Sequence, residues 1–509
     1  MNRFIDYLWM LFPMLLSGIS GICLLLSSFR EHIRMTEKGV VEETEDTVRK
    51  RLHIFVGIIL FLSVVSALVT VWSREVNLTL FHLMDNLPVY FHVDALGRLF
   101  VTVTSVIWLA IGLYAFLYMR HEGEEKRFFG FFLLVYAVLL ALEYAGNLIT
   151  LYFFYEFMTL TSMPFVLHNG SKEAVMAALK YIFYSMCGAY CALFGIYFLY
   201  QYCDTLTFVP GGSLNLTLAS ENSGILLIAV FLMLIGFGTK AGMLPFHAWL
   251  PTAHPVAPAP ASAALSAIIV KGGVLAVIRT VYYVVGTDFI RGTWVQTAWM
   301  VLTLMTVFMG SMLAYREKVF KKRLAYSTVS QLSYILFGLS LLTPDALTGS
   351  LLHVVFHACI KTVLFLTAGI FIFRTGKTRV DEYTGIGKQM KVTLWSYTFA
   401  SLALIGIPPM SGFISKWYLA QGALQSNTGV FRILGPVVLL ISALLTAGYL
   451  LPVTMSGFLP GKDVEVLKKA EKIDIMTAVV LVLAVLTVLM GILPNPLIEY
   501  AGEIAASVL

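Results

Sequence analysis

Charge is what this sequence has least of. Of its 509 residues only 13% are Asp, Glu, Lys or Arg, 59% are hydrophobic, and the mean hydropathy is +0.84. A soluble domain is about a quarter charged and about half apolar, so a soluble enzyme is excluded. Cysteine is scarce as well. The five (Cys23, Cys187, Cys191, Cys203, Cys359) form no CxxC pair, which leaves haem attachment, an iron–sulfur cluster and a disulfide framework without support. They lie mostly within apolar runs and are expected to be buried as small packing side chains. The alternation of apolar and polar residues that a transmembrane β-barrel requires is missing. The net charge of +6 is spread over short loops rather than gathered into a patch, so a nucleic-acid partner is excluded.

What the sequence has instead is a succession of uncharged apolar runs, each of roughly 20 residues, the length that crosses a bilayer core as helix. About fourteen such spans lie between residues 8 and 494, and the first lacks a small-residue cleavage site. The expectation is an all-α, polytopic membrane protein. The longest polar connection, 29–52, reads as a solvated loop. Loops after odd-numbered spans hold 24 of the 35 Lys and Arg, against five on the opposite side. By the positive-inside rule, that places the odd loops in the cytoplasm and both termini outside a cell membrane.

The six remaining basic residues, Lys180, Lys240, Lys271, Arg279, Lys361 and Lys416, fall inside spans, together with Glu143 and Glu156. An ionisable group at that depth costs at least about 2.5–3.5 kcal/mol and points to function. Lys180 and Arg279 lie near span ends and are expected to snorkel; the others lie deeper. Proline marks the same places. Span 7 (224–250) carries Lys240 with Pro245, Pro251 follows directly, and span 12 (392–422) carries Pro408 and Pro409 with Lys416. Proline removes a helical hydrogen bond, and broken helices survive in a membrane only where protein or a watery cavity lines them. Two broken spans an odd number apart cross in opposite directions, the mark of inverted repeats around an ion site. This divides the chain into spans 1–3 (1–127), a first five-helix repeat (128–290), a second (291–460) and a last span (461–509). On span 11, His353, His357 and Lys361 are spaced by four and stack along one helical face over about 12 Å. His247 and His254 flank the span-7 break and extend a hydrated path.

The run from Lys240 through Leu-Pro-Phe-His-Ala-Trp-Leu-Pro to His254 resembles the signature of the antiporter-like membrane subunits. So do Ser262–Ser266 with Lys271, the series His353, His357 and Lys361, the stretch Gly406-Ile-Pro-Pro-Met-Ser-Gly-Phe-Ile-Ser-Lys416, and Tyr155-Glu156. That family holds the proton-pumping subunits of complex I, the large subunits of Mrp-type Na+/H+ antiporters, and membrane subunits of energy-converting [NiFe] hydrogenases. The resemblance covers nearly the whole chain. It implies that Glu156 and Lys240 form a charged pair that switches during transport, that Lys271 is the central relay, and that His353, His357 and Lys361 form the middle of a proton path. Lys416 would be its distal group, with Glu143 a further candidate. One complex I pumping subunit has glutamate where this chain has Lys416. The resemblance further implies no cofactor or redox centre in this chain, and as partners the other membrane subunits of a complex, possibly a redox arm, with protons or Na+ as cargo. A free-standing solute transporter is the competing class.

Overall fold

The computed structural model describes residues 2–37, 45–73, 77–84, 87–460, 471 and 473–509. The expected loop 29–52 is helical over 29–37 and 45–52, where the first two helices extend beyond their apolar runs, and its residues 38–44, like Lys462, Lys468, Lys469 and Lys472, lie outside the described residues. Apolar runs become helices because lipid leaves every backbone N–H and C=O to be satisfied within its own segment. In chain order, α1 (Asn2–Glu37) and α2 (Glu45–Ser73) precede an antiparallel hairpin of β1 (Asn77–Met84) and β2 (Leu87–His92). Next come α3 (Ala95–Glu122), α4 (Glu125–Glu143), α5 (Leu148–Val166) and α6 (Lys172–Tyr202). They are followed by α7 (Leu216–Glu221), α8 (Ser223–Lys240), α9 (Leu250–Val256) and α10 (Ala259–Val285). The series continues with α11 (Thr287–Ile290), α12 (Trp294–Arg316), α13 (Phe320–Ser340) and α14 (Pro344–Thr375). It closes with α15 (Lys391–Ile405), α16 (Ser411–Gln425), α17 (Phe431–Phe458), α18 (Ile475–Ile492) and α19 (Asn495–Val508).

Ten helices among the described residues are long and apolar enough to cross a membrane. With α4, α5, α13 and the interrupted pair α15–α16, they account for the fourteen expected spans. The protein is an all-α, multi-pass membrane protein. Elements outside the expected spans include the short helices α7, α9 and α11, the hairpin, and α19, whose Tyr500 hydroxyl donates to Ala95 O at 2.9 Å.

Two helices are sheathed by protein on every side. The most apolar window of α10 is wholly buried, and α14 is buried without interruption from Ala346 to Phe371. A helix apolar all round belongs in an interior, and these two carry Lys271 and the His353–His357–Lys361 series. The outer helices instead present apolar faces laterally, such as Ile58 and Phe61 on α2 and Leu440 and Leu444 on α17.

Arg279 does not snorkel. It is 1% exposed and forms a two-pronged ion pair with Asp94, at 2.5 and 2.7 Å, while stacking on Phe208 and Tyr283. Asp94 also caps α3 by accepting from the Gly97 amide. The expected burial of the cysteines holds only for Cys359; Cys23 is exposed and the other three are half-buried. A small thiol is as compatible with a lipid-facing position as with a packed one, so apolar surroundings in sequence do not locate it.

At one end of the bundle the first turn of α4 is tied to α2. The Glu125 carboxylate meets Arg49 Nε at 2.7 Å and His53 Nε2 at 2.6 Å. Partial burial alone would push this carboxyl up; the His53 ring and the Arg49 charge outweigh it and hold the group below the usual carboxylate range. A lowered value means the tie is fully present above about pH 4.5 and is lost as the pH falls further. The Tm difference between wild type and Glu125→Gln is therefore expected to shrink on acidification below that pH. A difference independent of pH would contradict it.

Candidate functional site

Both broken spans follow one pattern. A glycine in the left-handed region ends the first half-helix, Gly242 with φ 75° and Gly406 with φ 90°, and a proline follows three residues later, Pro245 and Pro409. Only glycine adopts this conformation without strain. The carbonyls orphaned at each half-helix end are met by side chains. Trp249 Nε1 donates to Thr239 O at 2.9 Å, and Lys416 Nζ to Leu404 O and Ile405 O at 2.6 and 2.9 Å. Pro245, Pro408 and Pro409 lie in the gaps themselves. Pro251 does not break a helix: it sits in the first turn of α9, where its missing N–H is no loss.

Lys240, the last residue of α8, is fully buried. Its Nζ donates to Thr159 Oγ1 at 2.8 Å on α5, and to Tyr181 OH at 2.6 Å and Ser185 Oγ at 3.4 Å on α6. The close contact of α6 and α8 sets this up. At Gly188 and Gly236 the two backbones touch, and a Cβ on Gly188 would fall 2.6 Å from Gly236 O. Ser185 lies about a turn from Gly188, and Lys240 about a turn from Gly236, so the glycine contact brings hydroxyl and ammonium together.

The central series begins on α10. Lys271 Nζ lies 3.0 Å from His357 Nδ1 and 2.5 Å from Ala267 O. With Lys271 donating, the His357 ring proton resides on Nε2. The His357 and His353 rings are 5.9 Å apart, and His353 Nδ1 is 2.8 Å from Ser415 Oγ, next to Lys416. Tyr334 closes this end, stacked on His353 at 5.8 Å with the Lys416 ammonium 5.0 Å over its face. Lys361 branches off, donating to Ser327 Oγ at 2.7 Å and Leu324 O at 3.0 Å, and Ser327 is bonded to the Tyr449 hydroxyl.

The structure thus joins Lys271, His357 and His353 in one buried line that Tyr334 connects to the half-buried Lys416, with Lys361 beside it and Lys240 in a cage of its own. The remaining candidates stand apart. No ion pair among the described residues joins Glu156 to Lys240; Glu156 is half-buried, near Tyr152 of its own helix. Glu143, buried at the end of α4, accepts from the Thr104 hydroxyl at 2.5 Å, and its Oε2 has no hydrogen-bond partner among the described residues. His254 is buried against Phe365 at 4.7 Å with neither ring nitrogen hydrogen-bonded among the described residues, and His247 lies half-buried in the span-7 gap. Among the described residues, His353 Nε2, His357 Nε2 and both amide atoms of Gln331 are also buried without a hydrogen-bond partner.

Sequence reading missed Thr159, Tyr181, Ser185, Ser327, Ser415, Tyr334 and Tyr449. A signal existed in part: Thr159 and Ser162 follow Glu156 at helical spacing, and Tyr181 and Ser185 are four apart. Hydroxyls in apolar helices are common, however, and usually bond their own backbone.

Fold and site define a multi-pass membrane protein with a line of protonatable side chains through its interior. The family model for the transmembrane region of NADH:quinone oxidoreductase and Mrp antiporter proteins matches residues 145–446. NADH-quinone oxidoreductase subunit N of Desulforudis audaxviator is 33% identical over 372 residues, 72% of this chain and 72% of the relative. Hydrogenase-4 component B of Escherichia coli is 31% identical over 370 residues, 69% of this chain and 54% of that longer relative. The solved Mrp complex from Dietzia sp. contains a chain of the same fold, with TM-score 0.81 and 22% identity, covering 99% of this chain and 97% of that one. The chain belongs to the NADH:quinone oxidoreductase/Mrp antiporter transmembrane family.

Proposed function

We propose that this chain carries protons across a cell membrane, as one membrane subunit of a multi-subunit energy-converting complex of the complex I or membrane-bound hydrogenase type. The observation that carries the reading is the line of side chains from the buried Lys271, His357 and His353, by way of Tyr334, to the half-buried Lys416. Every group in it can gain and lose a proton, or stands beside one that can. An imidazole can take a proton on one ring nitrogen and release one from the other. The unpaired nitrogens of His353, His357 and His254 are buried polar atoms, which in proteins are satisfied by protein or by water; internal water then bridges the gaps that side chains leave. On this reading Lys240 and Glu156 would serve one end of the path, and Lys416 the other.

The bias of Lys and Arg supports cytoplasmic odd-span loops and outward termini. The shared glycine–proline pattern of the two breaks supports repeats over 128–290 and 291–460. On this reading the chain holds no cofactor, and redox chemistry belongs to partner subunits. A second reading, the large subunit of a Mrp-type Na+/H+ antiporter, is supported by the matched family model, which describes both kinds of protein.

The test is to isolate the complex through this chain and reconstitute it in proteoliposomes. Redox partners should co-purify, and donor oxidation should acidify the lumen. Small membrane partners with Na+-driven proton exchange would favour the second reading, and solute uptake by the lone chain would overturn both.

A further inference from the structure

The buried line has a gap between its two histidines. The His357 and His353 rings lie 5.9 Å apart, and among the described residues Nε2 of each is buried without a hydrogen-bond partner. The bonds at the other ring nitrogens fix where the ring protons sit. The Lys271 ammonium donates to His357 Nδ1, so His357 carries its proton on Nε2. Ser415 gives its own proton to Gly412 O at 3.2 Å, so it accepts from His353 Nδ1, and His353 Nε2 bares a lone pair. The gap thus has a donor on the Lys271 side and an acceptor on the other. Two contacts set the register of α13 against α14: Tyr334 stacks on His353, and Ser327 Oγ accepts from Lys361 at 2.7 Å. Gln331 lies midway between Ser327 and Tyr334, as His357 lies midway between His353 and Lys361, so Gln331 shares the level of His357. Its side chain is fully buried, and neither Oε1 nor Nε2 has a partner among the described residues. Buried polar atoms in proteins are satisfied by protein or by water.

We infer that Gln331 is a positioning residue: its amide fixes the internal water that joins His357 Nε2 to His353 Nε2. The inference rests on the proton-translocating reading above. Three partners are usual for a buried water. This one accepts from His357 Nε2–H, donates to His353 Nε2, and gives its second proton to Gln331 Oε1. Lys271 then passes a proton to His357 Nδ1, His357 releases one from Nε2 to the water, and the water hands one to His353 Nε2. The N–H bonds at Lys271 and His357 Nε2 break, those at His357 Nδ1 and His353 Nε2 form, and the water is restored. One positive charge has moved from Lys271 to His353. A carboxamide is absent from the groups that titrate in proteins, so Gln331 orients the water without competing for the proton.

Gln331→Leu removes both amide atoms and leaves an apolar side chain in their place. In the purified complex, reconstituted in proteoliposomes, it is expected to slow proton translocation roughly tenfold, the effect of one hydrogen bond to a charged group. The ratio of rates in H2O and D2O should rise, because transfer through the unanchored water becomes limiting. Gln331→Asn keeps an amide and should recover part of the rate. Cryo-EM of the wild-type complex should show water bonded to Gln331 and both histidines, and Gln331→Leu should lose it with the two rings in place. If Gln331→Leu does not assemble, Gln331→Met carries the same expectations. A wild-type rate in the variant, a slower rate with an unchanged isotope ratio, or water held between the histidines without Gln331 would overturn the inference, while a translocation defect in Lys240→Ala left the functional reading standing. Normal translocation by Lys240→Ala would instead remove that reading itself.

Discussion

Replacing Lys240 with alanine is expected to abolish proton translocation, a fall of at least about a hundredfold, in a complex that still assembles. The side chain is fully buried, and its ammonium joins α5, α6 and α8 through three hydrogen bonds. Neither Thr159, Tyr181 nor Ser185 can stand in for it, since no neutral hydroxyl carries a proton as cation at physiological pH. Assembly survives because the partners left behind are not charges. Tyr181 and Ser162 already bond one another, Thr159 has its own helix carbonyl at Tyr155 within reach, and alanine adds no polar group. Translocation measured by a pH-sensitive dye in proteoliposomes, beside the amount of assembled complex, checks both halves. Undiminished acidification would remove Lys240 from the path.

The second large effect is on stability and lies away from the path. Asp94→Ala is expected to destabilise the protein by about 3–5 kcal/mol, the usual consequence of stripping one partner from a buried ion pair. Arg279 is 1% exposed and has both prongs on Asp94, so the variant leaves a guanidinium inside the protein, against the Phe208 and Tyr283 rings, without its counter-charge. Asp94→Ala combined with Arg279→Met should recover most of the loss, because an apolar side chain of similar length needs no counter-charge. About 1 kcal/mol should remain missing, for the cap of α3 that Asp94 also supplies. Thermal unfolding of the purified complex measures this. A single variant as stable as wild type would show that the pair is inconsequential.

The two expectations differ in how far sequence anticipated them. Lys240 announced itself as a charge inside an apolar run beside a Pro245 break, and His353, His357 and Lys361 as a four-residue repeat on one face. Both signals are local, because helix periodicity and bilayer length act within one segment. The pair of Arg279 with Asp94 spans 185 residues, and the cage of Lys240 draws on Thr159 and Tyr181, 81 and 59 residues away. No spacing rule links such positions. The amphipathic α19 and the hairpin before α3 escaped for another reason: a window tuned to long apolar runs passes over short elements that lie across the ends of the bundle.

The sparse charge of this chain thus settled two matters by itself. It required a membrane protein of about fourteen spans, and it reduced the candidates for function to a few buried ionisable residues, because lipid penalises every charge that lacks a purpose. What sequence alone left open was the partner of each. Tertiary structure decided that Arg279 is held by Asp94, that Lys240 rests on hydroxyls rather than on Glu156, and that Lys271 meets His357. Those choices depend on which helices touch and how closely, as at Gly188 and Gly236. Helix contacts in a membrane are set by shape and hydrogen bonding between distant segments rather than by hydrophobicity, so the apolar pattern that fixed the spans carries no record of them.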